Sequence, residues 1–107
     1  MSGLALHLKL LFRVSSNMKD KRGIYYYPIL ENKNIRMYVR LGQNDVEFRL
    51  WDSEDEKLWA EHGWVPWQAI LQAAQLYEKE REGRPPLHLY DIEIAIRLLK
   101  DEYREMD

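Results

Sequence analysis

Residues 35–51 read Ile35-Arg-Met-Tyr-Val-Arg-Leu41, Gly42-Gln-Asn-Asp45 and Val46-Glu-Phe-Arg-Leu-Trp51, and apolar side chains alternate with polar or aromatic ones through both outer runs. An alternation of period two is typical of antiparallel strands that bury one face. The four residues between the runs are of turn type, and four residues is a common length for a hairpin loop. The sequence therefore predicts a β-hairpin with one apolar face and one face of arginine and aromatic side chains.

A third strand is predicted at residues 24–30, which are rich in aromatic and β-branched side chains. Pro28 cannot donate a ladder hydrogen bond, so this strand is expected at a sheet edge. A second four-residue loop, 31–34, leads into the hairpin. If the residues that flank each four-residue loop pair with one another, Leu41 pairs with Val46 in the hairpin. The same rule at the loop 31–34 pairs Tyr27 with Tyr38.

Three helices are predicted after the hairpin. Ser53 and Glu56 have the spacing of a capping box for a short first helix. Pro66 suits the first turn of a second helix, and Asp91 is the expected N-cap of a third helix over residues 92–106. The predicted fold is α+β: a two-layer arrangement in which an antiparallel meander of three strands, or four with the N-terminal segment, packs against the C-terminal helices.

Residues 1–23 are predicted to be an N-terminal segment preceding a single α+β domain at 24–107. Apolar residues alternate over 4–14 as in an extra strand, although leucine prefers helix, and the polar stretch 15–23 instead suggests a flexible appendage. His7 and Lys9 interrupt the apolar start, so neither a signal peptide nor a membrane span is predicted. The default expectation is a cytoplasmic protein without a membrane partner.

The predicted core combines the apolar face of the sheet with the apolar stripes of the helices. Its expected members are Ile24, Tyr26, Met37, Val39, Phe48, Leu50, Trp67, Ile70, Leu71, Ala74, Ile92, Ile96 and Leu99. Ile94 and Leu98 lie off the main stripe of the third helix, which is therefore apolar over much of its circumference and needs cover on more than one side. These two residues are the candidate oligomer interface.

The other face of the sheet is the candidate binding face, because it groups arginine with aromatic side chains. Its members are Tyr25, Tyr27, Arg36, Tyr38, Arg40, Arg49 and Trp51. Tyr, Trp and Arg are enriched in protein-interaction hot spots, and the same residue types can stack bases and contact phosphates of single-stranded nucleic acid. The three arginines less Glu47 leave a local charge of only about +2, so phosphate binding would be weak. The structural alternative is that each arginine of this face already contacts an aromatic ring or Glu47 within the chain and binds no ligand.

Composition restricts the remaining chemistry. The 107 residues contain no cysteine and carry a net charge of −2, which excludes thiolate chemistry and a generally basic surface. His7, His62 and His88 are far apart in sequence and none has metal-site spacing. Trp59, Trp64 and Trp67 fit either an aromatic cage for a cation or, by their helical spacing, core packing. No catalytic residue, metal or cofactor is predicted.

The first functional hypothesis is a non-enzymatic protein-interaction module that self-associates, so the expected partner is a second copy or another protein. The alternative is a weak binder of single-stranded nucleic acid that uses the arginine–aromatic face. A second alternative is an enzyme of unknown class, with groups assembled only by folding.

Overall fold

The structure is a computed structural model that describes residues 18–80 and 86–106. Within these residues five antiparallel strands form one sheet in chain order: β1 (Lys19–Asp20), β2 (Gly23–Tyr26), β3 (Ile35–Leu41), β4 (Val46–Asp52) and β5 (Val65–Pro66). The helices of the same region are α1 (Glu56–His62), α2 (Trp67–Glu80) and α3 (Ile92–Met106), with a 3₁₀ helix at Pro86–Leu89. The α+β class is confirmed. The expectations for residues 4–14, including His7, lie outside the described residues.

The central hairpin has the predicted register. Leu41 pairs with Val46, and the ladder continues without interruption to the pair of Ile35 and Asp52. The amide of Gly42 donates to the carbonyl of Asp45 at 2.8 Å and closes the four-residue turn. The two faces of the hairpin are therefore divided as the alternation indicates.

The predicted register between β2 and β3 is wrong by two residues. Tyr25 pairs with Tyr38 and Tyr26 pairs with Met37. The strand ends at Tyr26, two residues before Pro28, and the loop that follows includes a turn in which the amide of Asn32 donates to the carbonyl of Ile29 at 3.0 Å. A slip of an even number of residues keeps each side chain on its predicted face, so the composition of the two faces is unchanged.

The apolar face of the sheet packs against α2 and α3. The buried cluster comprises Tyr26, Met37, Val39, Phe48, Ile70, Ala95, Leu98 and Leu99. Ile24, Leu50, Trp67 and Ile92 pack against it, as predicted. Ile96 was expected in the core but is 40% exposed. The small side chain of Ala95 lies fully buried where α3 contacts the sheet, and this turns Ile96 outward.

The structure corrects the placement of the candidate oligomer interface. Leu98 is 7% exposed and belongs to the core, and Ile94 packs against that core. Both side chains pack inward because Ala95 lies at the centre of the side of α3 that contacts the sheet. Ile96 lies away from that centre. Among the α3 side chains that the structure describes, Ile96 and Tyr103 are the large apolar ones that are exposed.

Tyr26 joins the sheet to the start of α3. Its hydroxyl donates to the carbonyl of Leu89 at 2.7 Å and accepts from the amide of Asp91 at 2.8 Å. Burial raises the pKa of Tyr26 well above its ordinary value, so the hydroxyl stays protonated. Asp91 caps α3 as predicted, since its carboxylate accepts from the amide of Ile94 at 3.0 Å.

The other two helices begin differently from expectation. The capping box at Ser53 and Glu56 is wrong: the N-cap of α1 is Asp55, which makes no side-chain cap hydrogen bond. Asp52 organises the preceding turn by accepting from the amide of Glu54 at 2.9 Å, and this delays the helix. Pro66 lies in the edge strand β5 before α2, where a missing amide donor is tolerated.

Candidate functional site

Helix α1 covers part of the arginine–aromatic face, on the side of the sheet opposite α2 and α3. The ring centroids of Trp59 and Tyr38 lie 5.2 Å apart in an edge-to-face arrangement. The guanidinium of Arg49 donates to the carbonyl of Trp59 through both Nε and Nη2, with the Nε distance 3.0 Å. Tyr38 is fully buried and Tyr25 is nearly so. Much of the predicted binding face is therefore internal.

Strand β1 supplies a carboxylate to the same face. Asp20 Oδ2 lies 2.6 Å from Arg36 Nη1 and accepts from the Tyr38 hydroxyl at 2.5 Å. Burial opposes ionisation of Asp20, but the hydrogen bonds from Tyr38 and the Arg22 amide and the charges of Arg36 and Arg22 outweigh it, so the pKa of Asp20 lies below its ordinary value. Burial and then the bond to Asp20 raise the pKa of Tyr38, which keeps its hydroxyl a donor. Asp20 thus links β1 to β3.

Replacement of Asp20 by asparagine is expected to lower the free energy of unfolding near neutral pH by about 1–2 kcal/mol, because charge-assisted hydrogen bonds are lost. A folded-state pKa below the ordinary value stabilises the fold above that ordinary value, ~3.9 for aspartate, and the contribution is lost as the pH falls through the folded-state pKa. Urea denaturation of both proteins at several pH values measures this. The difference between them should shrink below about pH 4; a difference that stays constant into strong acid would contradict the role of Asp20.

Cations and aromatic rings alternate along this face. The guanidinium carbon of Arg36 lies 4.5 Å from the Tyr25 centroid and 4.9 Å from that of Trp51. The guanidinium carbon of Arg22 lies 4.8 Å from Trp51 and 6.0 Å from Trp59, and that of Arg49 lies 3.9 Å from Trp59. Each distance is within the range of a cation–π contact. The stack therefore holds its arginines against aromatic rings of the same chain, and Nε of Arg36 is buried in it without a hydrogen-bond partner among the described residues.

An opening lies in this stack, and we call it the tryptophan groove. It has a volume of about 250 Å³ and is lined by Arg22, Trp51, Ser53, Glu56 and Trp59. Arg22 lies in the turn between β1 and β2; its side chain is 35% exposed, and its nearest carboxylate oxygen, on Asp20, is 3.9 Å away. Its guanidinium forms part of the groove wall beside the two indoles, and the long ion pair to Asp20 holds it only weakly.

Residues of both charges surround the tryptophan groove. Glu56 lines it directly, Asp52 is the last residue of β4, and Glu54 and Asp55 lie in the turn that leads from β4 into α1. Three guanidinium groups also lie at its walls: Arg22 lines the groove, Arg36 is 4.9 Å from the Trp51 centroid and Arg49 is 3.9 Å from the Trp59 centroid. Negative charge beside two indole rings favours a cationic guest.

Comparison with known protein families, curated proteins and solved structures finds no match. No group of three His, Asp or Glu side chains suited to a metal ion occurs in residues 18–80 and 86–106. No helix of that region is long and apolar enough to cross a membrane.

The structure divides the candidate binding face into three parts. Tyr25, Arg36, Tyr38 and Arg49 take part in the internal stack. Trp51 lines the tryptophan groove. Tyr27 and Arg40 lie at the margin, where Lys33 Nζ is 4.9 Å from the Tyr27 centroid and Arg40 Nε is 2.6 Å from Glu47 Oε1.

Sequence reasoning missed three contributors to the site. Asp20 and Arg22 lie on the two-residue strand β1 and in the turn that follows it, and a strand this short shows no alternation in the sequence. Trp59 was assigned with Trp64 and Trp67 to one cluster, but Trp67 contacts Phe48 in the core whereas Trp59 and Trp64 contact each other 6.0 Å apart. The only sequence signal for the turn is Gly23, whose φ of +129° favours glycine.

Proposed function

We propose that this protein is a non-enzymatic protein-interaction module whose tryptophan groove receives a basic side chain of a partner. One observation carries the proposal: the guanidinium of Arg22 already lies against the indoles of Trp51 and Trp59. The contact of the chain's own arginine with both indoles supports a basic side chain as the guest. Trp and Arg are also the residue types that dominate protein-interaction hot spots.

Electrostatics support a basic guest over an acidic one. An arriving anion would meet Glu56 and the adjacent acidic turn, whereas Arg36 and Arg49, whose guanidinium groups lie against the same two indoles, are already paired within the chain. An arriving arginine or lysine would displace Arg22, whose nearest ion pair is 3.9 Å long, and would gain the same two indole faces. The exchange replaces one cation–π contact by another and adds the contacts of the partner's remaining residues.

The geometry gives less support to binding of single-stranded nucleic acid. Arg36 is paired with Asp20, Arg40 with Glu47, and Arg49 with the carbonyl of Trp59. Base stacking needs exposed ring faces, whereas Tyr25 and Tyr38 are buried. No specific observation favours an enzyme.

Self-association stays a prediction. The residues first offered for it, Ile94 and Leu98, pack into the core of the chain, which removes their support.

Replacement of Arg22 by alanine tests the groove, because it removes the internal guest. We expect the variant to bind a short peptide with one central arginine among glycines and serines several-fold more tightly than the parent protein does, since the peptide no longer competes with Arg22. Isothermal titration calorimetry measures both affinities.

The matched control is replacement of Arg40, which lies 4.3 Å from the Trp64 centroid and does not line the tryptophan groove. This variant should bind the arginine peptide as the parent does. A peptide in which citrulline replaces arginine keeps the shape without the charge and should bind weakly to all three proteins. Weaker binding by the Arg22 variant than by the parent would refute the proposal, since Arg22 would then contact the guest instead of competing with it.

A further inference from the structure

We infer that the exposed flank of α3 is a second interaction surface and that it binds an acidic amphipathic helix. Ile96 is 40% exposed and Tyr103 is 50% exposed. They are seven residues apart, so they lie two turns apart on the same side of the helix. Leu99, between them, is buried below. The pair therefore presents a short apolar stripe, which we call the α3 stripe.

A row of basic residues borders the α3 stripe. Arg97, Lys100 and Arg104 follow each other at spacings of three and four, which places them along one line on the helix surface. Lys100 is four residues after Ile96 and three before Tyr103, so the basic line is adjacent to the apolar one. The surface thus combines apolar and positively charged contacts side by side, with one exposed acidic residue, Glu93, four residues before Arg97 at its N-terminal end.

The basic row is available for a partner. All three side chains are exposed. Within residues 18–80 and 86–106 no ion pair involves Arg97 or Lys100. Arg104 has a single long contact, 3.8 Å from its Nη1 to Asp101 Oδ1, and its side chain is 79% exposed. An isolated exposed pair of this kind contributes little, so Arg104 can exchange Asp101 for another carboxylate.

The charge of the basic row indicates which partner fits the α3 stripe. If two copies met in parallel along the α3 stripe, each cation of the basic row would be opposed to itself. Like charges at an interface oppose association. The N-terminal residues 1–17 contain Lys9 and Arg13 and no acidic residue, so their charge does not fit either. A helix with leucines on one side and glutamates beside them complements both features.

This surface is independent of the tryptophan groove. The groove favours a basic guest and the α3 stripe an acidic one, on opposite faces of the sheet. Failure of one proposal therefore leaves the other standing.

The test uses a fluorescently labelled synthetic peptide of about five helical turns, with leucine at every third or fourth position and glutamate at most others. We expect saturable binding to the full chain by fluorescence anisotropy at low salt, weakening as salt is raised. Reversal of charge at Arg97, Lys100 and Arg104 together should reduce the affinity at least about tenfold. Replacement of Ile96 and Tyr103 by serine should reduce it similarly, because the apolar contact is lost.

Two controls separate this surface from others. Leu30→Ser removes an exposed leucine away from α3, and Arg22→Ala alters the groove, so neither should change the affinity for the acidic peptide. Circular dichroism of each variant confirms that the fold persists.

Three outcomes would overturn the inference. One is equal binding of a peptide in which lysine replaces every glutamate. Another is equal binding of an acidic peptide without leucine, which would reduce the effect to nonspecific charge. The third is self-association of the parent protein through Ile96 and Tyr103 without any binding of the acidic peptide, which would assign the stripe to a second copy.

Discussion

Replacement of Phe48 by alanine is expected to lower the free energy of unfolding by about 3–5 kcal/mol. Phe48 is fully buried on β4, and its ring centroid lies 5.8 Å from that of Trp67 and 5.5 Å from that of Tyr90. It therefore links the sheet to the first turn of α2 and to the residue before the α3 cap. Truncation removes both ring contacts and leaves a cavity between the two layers. Chemical denaturation followed by circular dichroism measures the loss.

Two control substitutions show how much of the stability loss of Phe48→Ala comes from the buried ring. Phe48→Leu keeps most of the apolar volume and should cost far less than alanine. Leu41→Ala changes a side chain on the same face of the adjacent strand that is mostly exposed, and should shift stability by less than about 1 kcal/mol. A Phe48→Ala variant as stable as the Leu41→Ala variant would contradict the packing of both long helices on this face.

The second large effect is expected at Trp59, where replacement by alanine should abolish binding of the arginine peptide and lower the free energy of unfolding by about 2–3 kcal/mol. The indole is half-buried, contacts the Tyr38 ring, and has the guanidinium carbon of Arg49 3.9 Å from its centroid. It also forms one wall of the tryptophan groove. Denaturation and calorimetric titration measure the two consequences separately.

Trp64→Ala is the matched control, because Trp64 is also half-buried and has an arginine over its ring. It does not line the groove. This variant should lose stability but retain binding of the arginine peptide. If both tryptophan variants lost binding equally, the loss would follow from general destabilisation and the assignment of the groove would fail.

The central hairpin is predictable from sequence because two independent signals agree there. Alternation assigns each side chain of β3 and β4 to a face, and the four-residue turn sets the register. The same reasoning fails one strand earlier, since Pro28 ends β2 at Tyr26 and lengthens the loop. A four-residue loop at 31–34 is expected only if the strand continues to residue 30. Pro28 ends the strand before that point, so the loop is longer.

The candidate site was only partly predictable. Period two places the arginines and aromatic residues on one face, but it does not show what covers that face. The cover comes from Asp20 and Arg22, on a two-residue strand and its turn, and from Trp59 on a seven-residue helix. A two-residue strand and a seven-residue helix are too short to show a repeated apolar pattern of their own period. Tertiary contacts therefore decide how they pack.

Helix α3 illustrates a second limit. Its cap at Asp91 and its length follow from local signals. Its orientation does not, because apolar residues occupy so much of its circumference that several arcs fit the core equally well. The fully buried Ala95 sets the arc that contacts the sheet, and this exchanges the expected roles of Ile96 and Leu98.

The central claim is that Trp51 and Trp59 form the walls of a groove for a cationic side chain, and indole N–H resonances test it most directly. The isotope-labelled protein is titrated with the arginine peptide and, separately, with its citrulline counterpart, while two-dimensional spectra follow the four tryptophans. We expect saturable shifts for Trp51 and Trp59 with the arginine peptide, and much smaller shifts with citrulline and for Trp64 and Trp67. Equal shifts with both peptides, or shifts confined to Trp64 and Trp67, would contradict the claim.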